Sequence, residues 1–138
     1  MPRSTRSLLF VVAVALGLSA CNNGPTTTTT TPSTATTTET FTDTLNPNGA
    51  KTFPFTVAAA GTMTATLTTV SPDSTVAIGL ALGTWNGTVC QIILANDNAP
   101  QGTVVTGSAT TTGTLCARVY DVGNLTGDES FVVTVVHP

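Results

Sequence analysis

An all-β fold, an antiparallel β-sandwich of jelly-roll or immunoglobulin-like type with about eight strands, is what this sequence predicts. Three observations lead there. From Phe41 onward the apolar residues fall in short alternating runs separated by turn residues, and no segment sustains a 3.6-residue period. Threonine, a β-branched residue that favours strands, is the commonest residue in the chain. Asn86-Gly87 stands between two apolar runs, and both residues tolerate the positive φ of a tight hairpin turn.

The elements follow in order. "FTDTL" places Phe41 and Leu45 on one face, and "KTFPFTV" does the same for Phe53, Phe55 and Val57. Pro54 inside the second run has no N–H to give a ladder, so this strand belongs at a sheet edge. "GTMTATLTTV" alternates most clearly, with Met63, Ala65 and Leu67 inward and a wet face of Thr62, Thr64, Thr66 and Thr68. "STVAIGLALG" sets Val76, Ile78, Leu80 and Leu82 against Ala77, Gly79 and Ala81, a back face so flat that something should lie close against it. "LGTWNGTVCQIIL" reads as strand, turn, strand, and "GTVVTGSA", "GTLCARVYD" and "ESFVVTVVH" supply three more runs. The loops between them read "ANDNAPQG" and "VGNLTGD".

Ahead of the sandwich, Arg3 and Arg6 precede an apolar core from Leu8 to Leu18, and small residues follow. That core of about 11 residues is too short for a bilayer, which needs about 20. Leu18-Ser19-Ala20-Cys21 resembles the lipobox of bacterial lipoproteins. The resemblance implies a cleaved signal peptide over residues 1–20, lipidation of Cys21 and a membrane partner held through its acyl chains. Asn22, where an aspartate would signal inner-membrane retention, implies the outer membrane. Residues 21–40, with "PTTTTTTPSTATTTET", have no hydrophobic period and read as a disordered Thr/Pro-rich tether, leaving 41–138 as the sandwich domain.

The order of "GAKTFPFTVAAAGTMTATL", a polar loop, "GTLCARVYDVG" and "SFVVTVV" resembles the bacterial pre-peptidase C-terminal domain, with Arg118, Val119 and Tyr120 on its late motif. The resemblance covers most of Phe41 to Val136 and implies a jelly-roll-like sandwich. That family is commonly appended to secreted peptidases and is associated with secretion or with binding extracellular polymers, sometimes with calcium. No peptidase accompanies the domain in this sequence, so a free-standing module is expected. With Cys21 assigned to lipid by the lipobox resemblance, Cys90 and Cys116 remain, both in predicted strands beyond the inner membrane, and a disulfide between them is expected. The alternative is two free thiols or a metal pair, for which no further soft ligand lies nearby.

Only 8% of residues are charged, against about 25% in average proteins. Without Arg3 and Arg6, Lys51 and Arg118 face seven carboxylates, two minus seven, or −5. No basic patch exists to hold nucleic acid or anionic lipid. The only histidine, His137, stands one residue from the end, where tails fray, and no nucleophile elbow, HExxH or P-loop occurs, so the sequence predicts a non-enzyme.

The binding candidates are Trp85, which could stack on a sugar or partner or simply close one end of the sandwich, and the run Asn96, Asp97, Asn98. With Asp121 or Asp128 that run could offer calcium its oxygens; as a polar turn it would satisfy its own backbone instead. No metal site and no cofactor is predicted, with calcium the one ion these residues suggest. The expected role is a lipid-anchored interaction or adhesion module for a protein or polysaccharide. The alternatives are an inert structural envelope lipoprotein and an accessory subunit of a secreted enzyme.

Overall fold

The computed structural model describes residues 35–138. Cys21, the expected signal peptide and most of the expected tether lie outside the described residues. Eight strands form, β1 (Thr37–Leu45), β2 (Ala50–Val57), β3 (Gly61–Ser71), β4 (Ile78–Trp85), β5 (Cys90–Ala99), β6 (Val104–Ala109), β7 (Gly113–Tyr120) and β8 (Glu129–His137). They make two antiparallel sheets of four, ordered β1-β8-β3-β6 and β2-β7-β4-β5.

The pairing has a simple logic. β1 pairs with β8, β2 with β7, β3 with β6 and β4 with β5. A hairpin-like ribbon of four strand pairs, wound so that successive pairs alternate between sheets, is the jelly roll. The period-2 pattern fixes which faces meet. Met63, Ala65 and Leu67 of β3 and Phe131, Val133 and Val135 of β8 point inward from one sheet, and Phe55, Val57, Leu80, Leu82, Ala117 and Val119 point inward from the other. Pro54 does stand in an edge strand, since β2 is the outermost strand of its sheet.

The flat back face of β4 is covered, and Ile78 to Gly83 are all buried. A Cβ on Gly79 would overlap the Tyr120 ring, and one on Gly83 would overlap the carbonyl of Gln91. The second contact means that the backbone of β5 folds over the outer face of β4 there, at a register shift between Leu82 and Gly83. Gly83 is therefore required by close approach.

Three expectations are corrected. The ordered domain begins before Phe41, because Thr37 to Thr40 continue β1 against Thr134 to His137. β8 lies between β1 and β3, and the β-branched threonines complete its ladder. "ANDNA" is strand rather than loop, since β5 runs on to Ala99 and pairs with Ile78. Nor does His137 fray. It belongs to the inward series of β8 and is only 2% exposed, its ring packing 5.0 Å from that of Phe55. Its Nε2 lies 3.0 Å from Glu39 Oε1 and its Nδ1 3.1 Å from the Pro138 carbonyl.

Candidate functional site

The two lateral sides of the sandwich, where the edges of the sheets come together, differ. Along one side β1 meets β2. Phe41 stacks on Phe53 with ring centroids 4.9 Å apart, Phe53 meets Phe131 edge-on at 5.9 Å, and Lys51 Nζ bonds Asp43 Oδ1 at 2.9 Å. Aromatic stacking and an ion pair close that side. The Asp43 carboxyl is held below its ordinary pKa, first by its bond to Lys51 and then by the Thr44 N–H.

On the other side, where β5 meets β6, lies a cleft of about 340 Å3, lined by Met63, Leu82, Ile93, Leu94, Ala109 and Leu115 and rimmed by threonines from Thr110 to Thr114. No lining residue is charged. Leu94 reaches across it, and a Cβ on Gly107 of β6 would stand 3.0 Å from Leu94 Cδ1. Among the described residues, five of the six large apolar side chains left exposed, Val89, Ile92, Ile93, Leu94 and Val104, belong to this side, and Ile93 is 67% exposed. Most of the large exposed apolar side chains are thus concentrated along one edge.

The disulfide shapes this side. Cys90 and Cys116 are bonded, with Cα atoms 5.8 Å apart. Yet β4 lies between their strands, and two strand spacings in a flat sheet amount to about 9.6 Å. The bond forms because β5 folds over β4 at Gly83, which pairs directly with Cys116 on its other side. The same folding leaves Ile92, Ile93 and Leu94 protruding at the free edge. Asn86 sets the start of β5, its Oδ1 accepting the N–H groups of Thr88 (2.9 Å) and Val89 (2.7 Å) while Gly87 takes a φ of 97°.

The sequence-based candidates occupy other places. Trp85, half-buried, ends β4 opposite Cys90. Asn96 accepts the Asn98 N–H at 2.9 Å, an Asx turn within the strand. Asp97 accepts the Tyr120 hydroxyl, whose pKa is pushed up to about 12 by burial first and then by the Asp97 bond and charge. The Arg118 guanidinium lies 5.8 Å from the centroid of the same ring. Asp121 faces the other way. Its Oδ2 accepts Asn48 N–H at 2.8 Å, and its Oδ1 accepts those of Gly123, Asn124 and Leu125 at 2.8, 3.0 and 3.2 Å. Burial opposes its charge, but these four N–H bonds outweigh that and hold the carboxyl below its ordinary range.

The carboxylates near these loops act as turn anchors. Asp73 holds Thr75 through N–H and hydroxyl, Asp128 accepts from Asn46, and the buried Glu129 accepts the Asp73 N–H. No group of three or more His, Cys, Asp or Glu side chains positioned to hold a metal ion occurs among the described residues. The cleft residues Ile93 and Leu94 were not singled out by sequence reasoning. The available signal was "CQIIL", three consecutive large apolar residues that alternation cannot bury together. No protein family matches the chain, and no curated protein is similar to it.

Proposed function

We propose that the chain is a non-enzymatic, lipid-anchored module of the cell envelope that binds another polypeptide surface through its β5–β6 side. The observation that carries this reading is the asymmetry of the sandwich: an aromatic stack and an ion pair seal one lateral side, while the other exposes Ile92, Ile93, Leu94 and Val104 and holds an uncharged cleft lined by Ile93 and Leu94. A partner for such a side is apolar and uncharged, and an extended strand fits best, because free strand edges border the cleft. The lipobox-like Leu18 to Cys21 and the threonine-rich segment after it support anchoring at the outer membrane. The burial of His137 against Glu39 and Phe55 supports a structural role for the sole histidine.

The test is a photo-reactive residue at Ile93 of the full chain, activated in intact cells, with the adducts identified by mass spectrometry. Adducts at position 93, absent when the probe stands at the exposed Thr42 of β1, are expected. A probe at 93 that forms no protein adduct would overturn the reading and leave the inert structural lipoprotein.

A further inference from the structure

Resting on the reading of the β5–β6 side as the binding side, we infer that its occupant is a second copy of this chain, the two pairing β6 against β6, antiparallel, about a twofold axis. Four strands lie at sheet edges, β1 and β6 in one sheet and β2 and β5 in the other. Three of them carry features that discourage pairing. β1 holds Glu39 and Asp43 and is turned against β2, and β2 contains Pro54. β5 has two register shifts against β4 and carries Asp97. β6, "VVTGSA", has none: it is uncharged, lacks proline and keeps an unbroken register with β3 from Val104 to Ala109. Its far edge offers a row of ladder groups to another strand.

Charge selects the occupant. Over the described residues Lys51 and Arg118 face seven carboxylates, two minus seven, or −5, so two copies repel over most of their surfaces. The β5–β6 side is the exception, since neither β6 nor the cleft lining contains a charge. A basic partner would find no carboxylate there to pair with except Asp97, which already accepts from Tyr120. A second copy presents the same neutral apolar surface, and a twofold contact makes that surface self-complementary.

Symmetry also restricts the register. Opposed residues share a face in an antiparallel pair, so the axis must cross a residue position, and Thr106 and Gly107 are the central ones in β6. With the axis at Thr106, Val105 of each copy faces Gly107 of the other and Val104 faces Ser108. The two four-stranded sheets then continue into one, and Ile92 and Ile93 of each copy come against the other. A standard interface covers about 800 Å2 per partner, more than a short strand supplies, so this apolar lip belongs to the contact.

The experiment uses the full chain in its membrane, carrying Thr106→Cys alone or together with Ser108→Cys, according to which residue the axis crosses. Opposed Cβ atoms in such a pair lie about 4.5–5.5 Å apart, within reach of an oxidant-induced disulfide. A covalent dimer is expected as the main product, against little for Thr42→Cys on the opposite edge. In a chain carrying Val104→Cys and Ser108→Cys, which face each other with the axis at Thr106, Thr106→Lys sets like charges against each other at the axis and should reduce dimer at least tenfold with an unchanged melting temperature. Cysteines at 106 and 108 that crosslink no better than one at 42 would overturn the inference. If the Ile93 probe then captures a different protein, the binding side stands without the second copy; if it captures nothing, both readings fall.

Discussion

Replacing Cys90 and Cys116 together by alanine should lower the melting temperature of the domain by roughly 15 °C. The bond joins residues with a sequence separation of 26, and releasing a loop of about 27 residues from the unfolded chain is worth about 3.5 kcal/mol in the chain-entropy account. Each kcal/mol moves a domain of about 100 residues by roughly 4 °C at the low end of the usual range. Both cysteines are buried, and alanine leaves no unsatisfied polar group behind, so the loss is dominated by the released loop with a small packing contribution. The assay is thermal unfolding followed by far-UV circular dichroism, with the wild type measured with and without reductant as a second route to the same state. A shift under about 4 °C by both routes would refute the reasoning, because it would mean that β5 stays folded over β4 without the bond and that the unfolded chain gains little freedom from its loss.

Tyr120→Phe should flatten the alkaline limb of the stability curve. A tyrosine raised to about 12 in the folded state contributes stability that is whole below its unfolded value near 10 and is lost as pH rises through about 12. Urea titrations at intervals from pH 9 to 12 read this, and an identical slope in the phenylalanine variant would show that Tyr120 is not responsible. Cys21→Ala, outside the described residues, should leave the chain unprocessed or free of the membrane, and fractionation that still finds a lipid-anchored species would remove the anchor from the proposed function.

The strands were legible where local chemistry decides them. The alternation of Met63, Ala65 and Leu67 fixed the inner face of β3, Pro54 marked an edge, and Asn86-Gly87 marked the turn into β5. Positions decided by distant partners were not. Thr37 to Thr40 look like tether until Thr134 to His137 lie beside them, and "ANDNA" looks like a turn until Ile78 pairs with Ala99. Asp121 shows the same limit for a site. From sequence, an aspartate in a polar loop is equally a ligand and a turn anchor, and only the four N–H groups converging on it decide for the anchor. The open side escaped for a related reason: the local pattern of "CQIIL" shows that some of its apolar residues must be exposed, but not that they gather beside β6 around one cleft.

Composition explains why β6 is the edge left bare. Proteins commonly guard a free strand with a lysine on it, and the described residues contain one lysine, Lys51, which is engaged with Asp43 in closing the β1–β2 side. The other cation of this kind, Arg118, lies over the Tyr120 ring. The remaining guards are a proline on β2, carboxylates on β1, and bulges with Asp97 on β5. β6 has only the hydroxyls of Thr106 and Ser108, which make an edge soluble without repelling a second strand. A surface made polar by threonine instead of charge therefore stays open to pairing wherever no backbone device intervenes. In this sandwich that place is beside the apolar cleft.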